Sequence, residues 1–232
     1  MAGARRAGVL ITGTDTGVGK TRVACLLLEA IRRQGLRAIG MKPVAAGCTE
    51  TPAGPINEDV EALVAASSFA AERKLVNPYC FTPPIAPHIA AREAGITISI
   101  GRICAAFRQL SAQSDFVVVE GAGGFLVPLT AESDFGDLAH ALDLPLLLVV
   151  GMRLGCLNHA FLTIEAIENR GLRMTGWLAN CFDQTMQRSQ ENLDTLRMRL
   201  RAPLLGIVSL TLEGAKPSFA ELDLRPILYP VT

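Results

Sequence analysis

A glycine-rich turn between a short apolar run and a stretch of helical composition constrains this chain most. The apolar run is 9–11, and the turn ends in Gly-Lys-Thr at 19–21. A turn of this kind points backbone N–H groups into one concavity, where the helix dipole adds partial positive charge. Lys20 would then reach the phosphates of a nucleoside triphosphate, and the Thr21 hydroxyl would bind Mg²⁺. The alternative is an ordinary glycine turn that caps a strand, because Gly13 lies one position earlier than the strict phosphate-loop spacing requires.

Short apolar runs alternate with helical stretches along the chain, which is typical of a parallel sheet with crossover helices. The predicted strands are 9–13, 37–42, 116–120, 146–151, 175–180 and 204–210. The predicted helices are 20–34, 58–67, 100–113, 135–142, 158–169 and 187–200, with Gly35 and Gly171 as carboxyl-terminal caps of two of them. We expect a single α/β domain, 1–232, of the P-loop NTPase-like kind, with a mostly parallel sheet flanked by helices. The proline-rich segment 77–87 is expected to be a loop that carries ligand.

Composition excludes several classes of function. The 22 basic and 22 acidic side chains balance, so nothing indicates a nucleic-acid footprint or a membrane-surface patch. No apolar run approaches the ~20 residues of a spanning helix, and the first residues lack a long apolar signal segment, so we expect a cytoplasmic protein. The 6 cysteines form no C-x-x-C pair, and a chain of this length does not need disulfides to fold. We therefore expect free thiols.

Two charged residues end predicted strands at the edge of the sheet where the phosphate site must lie. Lys42 ends the second strand and could place a second cation over the transferring phosphoryl group, although a solvated surface lysine is the alternative. Glu120 ends the third strand after four apolar residues and is followed by Gly-Ala-Gly-Gly at 121–124. A carboxylate in that position is the usual form of a second Mg²⁺-organising element, and a plain strand-terminal glutamate is the alternative.

Two further features are weaker when taken alone. Acids at Glu58, Asp59 and Glu61 follow Asn57, which is expected to be a helix N-cap, and sequence chemistry does not choose among the three. The segment Leu-Gly-Cys-Leu-Asn-His at 154–159 opens another helix, whose free N–H groups would suit a carboxylate or a phosphate.

These pieces together resemble the dethiobiotin synthetase family nearly end to end. The resemblance rests on motifs at 12–16, 19–21, 42–44, 77–79, 87–88, 119–124, 154–160 and 176–180. It implies an ATP-dependent ring closure. Carbon dioxide carbamylates one amine of 7,8-diaminononanoate, the carbamate attacks the γ-phosphate of ATP, and the second amine closes on the resulting anhydride to give dethiobiotin, phosphate and ADP.

The resemblance also implies the roles of individual residues. The catalytic set would be Lys20, Lys42 and Thr16, which would bind the γ-phosphate and the carbamate. Mg²⁺ would be held by Thr21, Asp59 and Glu120. ATP, the co-substrate, would be bound by Gly17, Val18, Gly19, Lys20, Thr21, Arg22, Glu120, Gly121, Ala122, Gly123, Asn180, Cys181, Ser209, Leu210 and Thr211, with Asn180 reading the adenine edge. The substrate would contact Ala46, Gly123, Gly155, Cys156, Leu157 and Asn158.

In this family the distant carboxylate of the diamine binds at the helix start near 155–158 of a partner subunit, so the resemblance implies a homodimer. The chain departs from the family pattern at three places. Ala46 stands where members often have serine, Asn192 where some have tyrosine, and 208–210 reads Val-Ser-Leu where Ile-Pro is frequent.

The main alternative function is a regulatory ATPase switch of the partitioning type. Such proteins often carry an extra signature lysine early in the phosphate loop, and this chain has Asp15 at that place. A GTPase is disfavoured because no N-K-x-D motif occurs. A binding module that has lost turnover is disfavoured by intact Lys20, Thr21, Lys42 and Glu120.

Overall fold

The computed structural model describes residues 8–52, 54–183, 185–209, 219–220 and 222–229. Its strands are β1 Gly8–Gly13, β2 Ala38–Met41, β3 Val44–Ala46, β4 Tyr79–Phe81, β5 Phe116–Glu120, β6 Leu146–Gly151, β7 Met174–Cys181, β8 Leu204–Ser209 and β9 Phe219–Ala220. Its helices are α1 Lys20–Arg33, α2 Glu58–Ala66, α3 Arg73–Val76, α4 Pro87–Glu93, α5 Ile100–Ser111, α6 Phe135–Leu142, α7 Cys156–Asn169, α8 Ser189–Arg199 and α9 Arg225–Leu228.

The main sheet has the strand order β2-β5-β1-β6-β7-β8-β9. The first six strands are parallel, and the two-residue β9 pairs antiparallel with β8. This confirms the expected α/β class with a mostly parallel sheet. Because β1 lies directly between β5 and β6, the loop that follows β1 emerges beside the carboxyl end of β5, where Ile11 pairs with Glu120. Ligands of open α/β sheets bind at this edge.

The strands bury both faces, and alternate residues pack on opposite layers of helices. On one face, Val9 and Ile11 of β1 pack in a cluster with residues of α1 such as Leu27. On the other face, Leu10 packs in a cluster with residues of α5 and α6. A third cluster, centred on the fully buried Trp177, packs α7 and α8 against β6 and β7. The phosphate loop therefore projects from a sheet that is packed on both faces.

Local sequence signals explain most of the helix boundaries. The Asn57 side chain accepts hydrogen bonds from the N–H groups of Asp59 and Val60, so the predicted N-cap of α2 is confirmed. Gly35 and Gly171 adopt positive φ angles just beyond α1 and α7, as predicted. Helix α7 begins two residues earlier than predicted, because Gly155 serves as its N-cap.

The sequence predicted a loop over 77–87, but the structure shows regular elements in part of this segment. Residues Tyr79–Phe81 form β4, which pairs with β3 in a separate two-stranded parallel sheet, and Pro87 begins α4. Both strands have only three residues and adjoin prolines, so their hydrophobic pattern is too short to identify them. This small sheet connects β2 to the wall of the ligand cavity described below.

The expectation of free thiols is wrong at two positions. Cys48, just after β3, forms a disulfide with Cys80 of β4, with their Cα atoms 6.1 Å apart. Pairing of Ala46 with Phe81 brings the two cysteines together across 32 positions of sequence. No local spacing signals such a contact, because it depends on the pairing of two strands. The other cysteines, Cys25, Cys104, Cys156 and Cys181, are free.

Within the described ranges, no helix combines the length and apolar character needed to cross a bilayer.

Met41 and Met198 form a matched pair for testing the core. Met41 is fully buried at the end of β2, whereas Met198 on α8 is 79 % exposed. We expect Met41→Ala to lower the free energy of unfolding by about 2–5 kcal/mol, because it leaves a cavity in the packed layer. Met198→Ala should change it by less than about 0.5 kcal/mol. Urea unfolding followed by circular dichroism measures both, and equal effects would contradict the assignment of β2 to the core.

Candidate active site

The phosphate loop runs from the end of β1 to the first residue of α1. Gly19 adopts φ 88° as the N-cap of α1 and supplies no side chain to satisfy the first N–H groups of the helix. A Cβ on Gly19 would lie 2.1 Å from Nδ2 of Asn180, so this position requires glycine for both conformation and space. The uncapped helix end presents free donors and the positive end of the dipole to an anion.

Lys20 is buried at the first position of α1, and its Nζ donates a hydrogen bond to the Asp15 carbonyl oxygen at 2.9 Å. Burial lowers the pKa of the Lys20 ammonium to about 8, an effect that Glu120 opposes and Lys42 reinforces. The side chain thus folds back over the loop that would surround the phosphates. This is the geometry expected of a lysine that binds a triphosphate tail.

Lys42 lies at the end of β2, buried between two carboxylates. Its Nζ donates to Oδ2 of Asp59 at 2.5 Å and to Oε1 of Glu120 at 2.6 Å. Burial would lower the pKa of Lys42, but the charges of Glu120 and Asp59 outweigh it and raise that pKa. The same contact lowers the pKa of Asp59 although burial acts to raise it. Lys42 is therefore not a solvated surface lysine, which was the alternative left open by the sequence.

Glu120 and Thr21 meet at the same point. The Thr21 hydroxyl donates to Oε1 of Glu120 at 2.8 Å, while Oε2 of Glu120 is buried and has no hydrogen-bond partner. With Asp59, these groups offer two carboxylates and one hydroxyl around one space. Such a set of hard oxygen donors fits Mg²⁺, which usually keeps several waters and takes only one or two carboxylates from the protein.

These charged groups face a cavity of about 750 Å³. One part of its lining carries the phosphate loop and the ionic groups, and another part is apolar. The lining residues are Thr16, Gly17, Gly19, Lys20, Thr21, Arg22, Lys42, Ala46, Asp59, Pro84, Ile85, Ala86, Pro87, Glu120, Ala122, Gly123 and Val127. The cavity therefore brings together all three predicted catalytic residues and all three predicted metal ligands.

The glycine-rich segment after β5 closes tightly against this cavity. Gly121 donates its N–H to the Ile11 carbonyl oxygen at 2.9 Å, which ties the segment to β1. Gly123 has φ 66°, and a Cβ there would lie 2.8 Å from the Val127 side chain and 3.5 Å from the Thr16 hydroxyl oxygen. The absence of side chains lets the backbone approach the catalytic residues closely.

The Asn180 side chain contacts the phosphate loop and does not line the cavity. Its Nδ2 donates to the Val18 carbonyl oxygen at 2.8 Å, and its Oδ1 is buried with no partner. An amide oxygen in this state is an open acceptor for an exocyclic amine of a base. Its neighbour Cys181 is half-buried at the end of β7.

The end of β8 is tied to the start of α1. The Arg22 guanidinium donates to the Ser209 carbonyl oxygen at 2.8 Å. This places two of the predicted nucleotide contacts beside each other. Leu210 and Thr211, the predicted nucleotide contacts that follow Ser209, lie outside the described residues.

The start of α7 does not line this cavity. None of Gly155, Cys156, Leu157 and Asn158 is among the residues that line it. Gly155 and Asn158 are exposed, whereas Cys156 is buried, and burial raises the pKa of its thiol. Cys156 is therefore unsuited to be a nucleophile. This helix end has no side-chain cap, and Gly155, its N-cap, is exposed.

Sequence reasoning missed two parts of the site. An apolar wall is formed by Pro84, Ile85, Ala86 and Val127; the first three fall in the segment expected only to carry ligand, and Val127 was not predicted. Arg153 forms an ion pair with Asp15 of the phosphate loop, and no local pattern announces a contact between residues so far apart in the chain.

Known proteins resemble this chain along nearly its whole length. A family model described as an AAA domain matches residues 7–216. The ATP-dependent dethiobiotin synthetase BioD of Aromatoleum aromaticum is 54% identical over 215 residues, which cover 93% of this chain and 95% of that protein. The enzyme of the same name from Pseudomonas aeruginosa is 51% identical over 220 residues, covering 94% of this chain and 96% of that one.

Solved structures resemble the fold at much lower identity. The MinC:MinD cell division protein complex of Aquifex aeolicus gives a TM-score of 0.54 at 17% identity, covering 87% of this chain and 81% of that one. A ParA family ATPase from Chlorobium tepidum gives 0.51 at 14% identity, covering 88% and 85%. These similarities concern the fold alone. With half or more of its residues identical to those relatives over nearly its whole length, the chain belongs to the ATP-dependent dethiobiotin synthetase family.

Proposed function

We propose that this protein closes the ureido ring of dethiobiotin from 7,8-diaminononanoate, carbon dioxide and ATP, releasing ADP and phosphate. The observation that carries the proposal is the pair of buried lysines, Lys20 and Lys42, that face one cavity at the end of the phosphate loop. Family membership supplies the substrate, and the cavity supplies the charges that its chemistry needs.

The reaction makes and breaks bonds in three steps. One amine of the diamine attacks carbon dioxide and loses a proton, which gives a carbamate. A carbamate oxygen attacks the γ-phosphorus of ATP and ADP leaves, which gives a carbamic-phosphoric anhydride. The second amine attacks the carbonyl carbon, expels phosphate, loses its proton and closes the five-membered ring.

The protein contributes position and charge to these steps, since phosphoryl transfer needs little covalent help. Lys20 and Lys42 bind the γ-phosphate and the carbamate, bringing two anions together that would otherwise repel each other. Thr16 lines the same cavity and can donate its hydroxyl to either anion. The low dielectric around these buried groups strengthens each contact relative to the same contact in water.

Mg²⁺ belongs to this proposal as the cofactor that screens the triphosphate when it is bound. Glu120, Asp59 and Thr21 would hold it, directly or through water. The unpartnered Oε2 of Glu120 supports this role, because a buried carboxylate oxygen without a partner is costly unless a ligand satisfies it. Lys42 shares both carboxylates, so it balances their charge in the protein without ligands.

The adenine and the substrate chain are assigned to flanking regions. Asn180 would accept a hydrogen bond from the adenine amine, with Cys181, Ser209, Leu210 and Thr211 beside the base. The hydrocarbon chain of the diamine would contact the apolar wall of the cavity. This wall is formed by the side chains of Pro84, Ile85, Ala86 and Val127, which have no groups that need hydrogen bonds.

The substrate carboxylate is assigned to the start of α7 in a partner subunit, which makes the enzyme a homodimer. The separation of Gly155, Leu157 and Asn158 from the cavity of their own subunit supports this, as does the uncapped helix end. Leu154 and Leu162, 93 % and 57 % exposed, add apolar surface on and beside the same helix. We also expect residues 1–232 to work as one domain in the cytoplasm.

A direct assay distinguishes the ligase from a regulatory ATPase switch, the main alternative function. The protein is incubated with ATP, Mg²⁺, ¹⁴C-bicarbonate and the diamine. We expect one labelled cyclic urea for each phosphate released, and no phosphate release when either the diamine or bicarbonate is omitted. Steady ATP hydrolysis that is independent of the diamine would instead support the switch.

The buried Lys42 and the exposed Lys74 allow a matched test of the role of Lys42. We expect Lys42→Ala to lower kcat by about 10²–10³-fold, because it removes a buried charge from the transition state. The ATP dissociation constant should change less than about threefold. Lys74→Ala, which changes an exposed lysine paired with Glu72, should leave both quantities unaltered. Rapid-quench kinetics and calorimetric ATP titration provide the two measurements, and an unchanged kcat would remove Lys42 from the reaction.

The shared active site makes a complementation test possible. Asn158→Asp places a negative charge near the substrate carboxylate, at a helix start that tolerates acids, and should raise KM for the diamine. With diamine far below that raised KM, co-expressed Asn158→Asp and Lys42→Ala chains should recover about one quarter of wild-type activity, since half of the dimers are mixed and each has one intact site. Activity equal to the average of the two variants would contradict a site built from both subunits.

The lowered pKa of Lys20 predicts how nucleotide binding depends on pH. The ammonium form binds the triphosphate, and above pH about 8 the free protein has lost this proton. ATP affinity should therefore fall about tenfold from pH 7 to pH 9, with proton uptake on binding near pH 8. Calorimetry in two buffers of different ionisation enthalpy counts those protons. A flat affinity without proton uptake would show that Lys20 stays charged throughout.

A further inference from the structure

Asn77 holds the backbone of Lys42 without lining the active-site cavity. It follows α3 directly and is 8 % exposed. Its side-chain Nδ2 donates to the Lys42 carbonyl oxygen at 2.6 Å and to the Tyr79 carbonyl oxygen at 2.9 Å. Both N–H bonds of one amide are therefore used on two separate segments of backbone. The residue is not among those that face the ligand space.

The other backbone group of Lys42 is held from the same place. The Lys42 N–H donates to the Val76 carbonyl oxygen at 2.8 Å, next to Asn77 in the chain. Beyond Lys42, the Pro43 carbonyl oxygen accepts the N–H of Tyr79 at 3.1 Å. The end of α3 and the start of β4 thus fix the backbone from which the Lys42 side chain projects.

This support matters because Lys42 lies at a junction. It falls between β2 of the main sheet and β3 of the small sheet, so neither ladder includes it. Its ammonium must nevertheless reach Glu120 and Asp59 within hydrogen-bonding distance. A shift of about 1 Å in the backbone would misplace the charge, and misplacements of that size can cost about 10²-fold in rate.

We infer that Asn77 is a positioning residue for the ring-closing reaction, acting through the backbone of Lys42 to place its ammonium over the carbamate and the γ-phosphate. This inference rests on the proposed function. It assigns a purpose to Asn77 of the motif at 77–79, which reads Asn-Pro-Tyr and which the reaction itself leaves unexplained. An amide is required at this position, since an ionised carboxylate of the same shape has no proton to donate to either carbonyl oxygen.

The test is a double-mutant cycle on kcat. We expect Asn77→Asp to lower kcat by about 10–100-fold and to change KM for ATP less than about twofold. In a Lys42→Ala background the same substitution should change kcat less than about twofold, because there is no ammonium left to position. Single-turnover formation of labelled cyclic urea gives the rates, including those of the slow variants.

Tyr79→Phe is the matched control for a merely structural effect. It removes the hydroxyl that accepts the Ser99 N–H at 2.9 Å, and so loosens β4 from its other side without touching Lys42. We expect kcat within about twofold of wild type. If Asn77→Asp does not fold, Asn77→Ser is used instead, since it is neutral and too short to reach both carbonyl oxygens, and the same rate loss is expected.

The outcomes separate two failures. A wild-type protein that forms no cyclic urea would contradict the proposed function. An active wild type with an equal loss from the Asn77 substitution in both backgrounds, a loss of similar size in Tyr79→Phe, or full activity of the Asn77 variants would overturn the positioning role alone.

Discussion

The buried ammonium of Lys42 between Glu120 and Asp59 is the interaction on which the site depends. A carboxylate as deeply buried as Glu120 needs a nearby positive charge, because desolvation of an unpaired ion is costly. Lys42 provides that charge, and it lines the same cavity as Lys20. In the proposed reaction, the ammonium that stabilises the buried carboxylate would also supply charge to the chemistry.

The parallel sheet makes this contact possible. Strands β2, β5 and β1 are neighbours, so their carboxyl ends deliver Lys42, Glu120 and the phosphate loop to one edge. Lys42 and Glu120, which are 78 positions apart in sequence, then meet within hydrogen-bonding distance. The helices on both faces keep that edge from shifting, which is why side chains as long as lysine can be held in defined positions by so few contacts.

Much of this was predictable because its signals are local. A local pattern predicts Gly-Lys-Thr between an apolar run and a helix. Another predicts Glu120 as a strand end after four apolar residues, and the structure brings Thr21 and Glu120 together. Other parts depend on distant pairing. The three-residue strands β3 and β4 carry too little pattern, and the contacts of Arg153 with Asp15 and of Asn180 with Val18 have no local signature. Only the family resemblance distinguishes Asp59 from its acidic neighbours as a metal ligand. In the structure, the Asp59 carboxylate accepts a hydrogen bond from the Lys42 ammonium.

The cross-link between Cys48 and Cys80 makes part of the cavity wall a covalent macrocycle. The enclosed segment contains Asp59, so an acidic group of the site is carried on a ring whose ends cannot separate. Closing a loop of this length removes disordered conformations worth about 3–4 kcal/mol in the chain-entropy description. In a compartment that keeps thiols reduced, this share of the stability of the wall would pass to its backbone hydrogen bonds, such as that from Cys48 to Phe81.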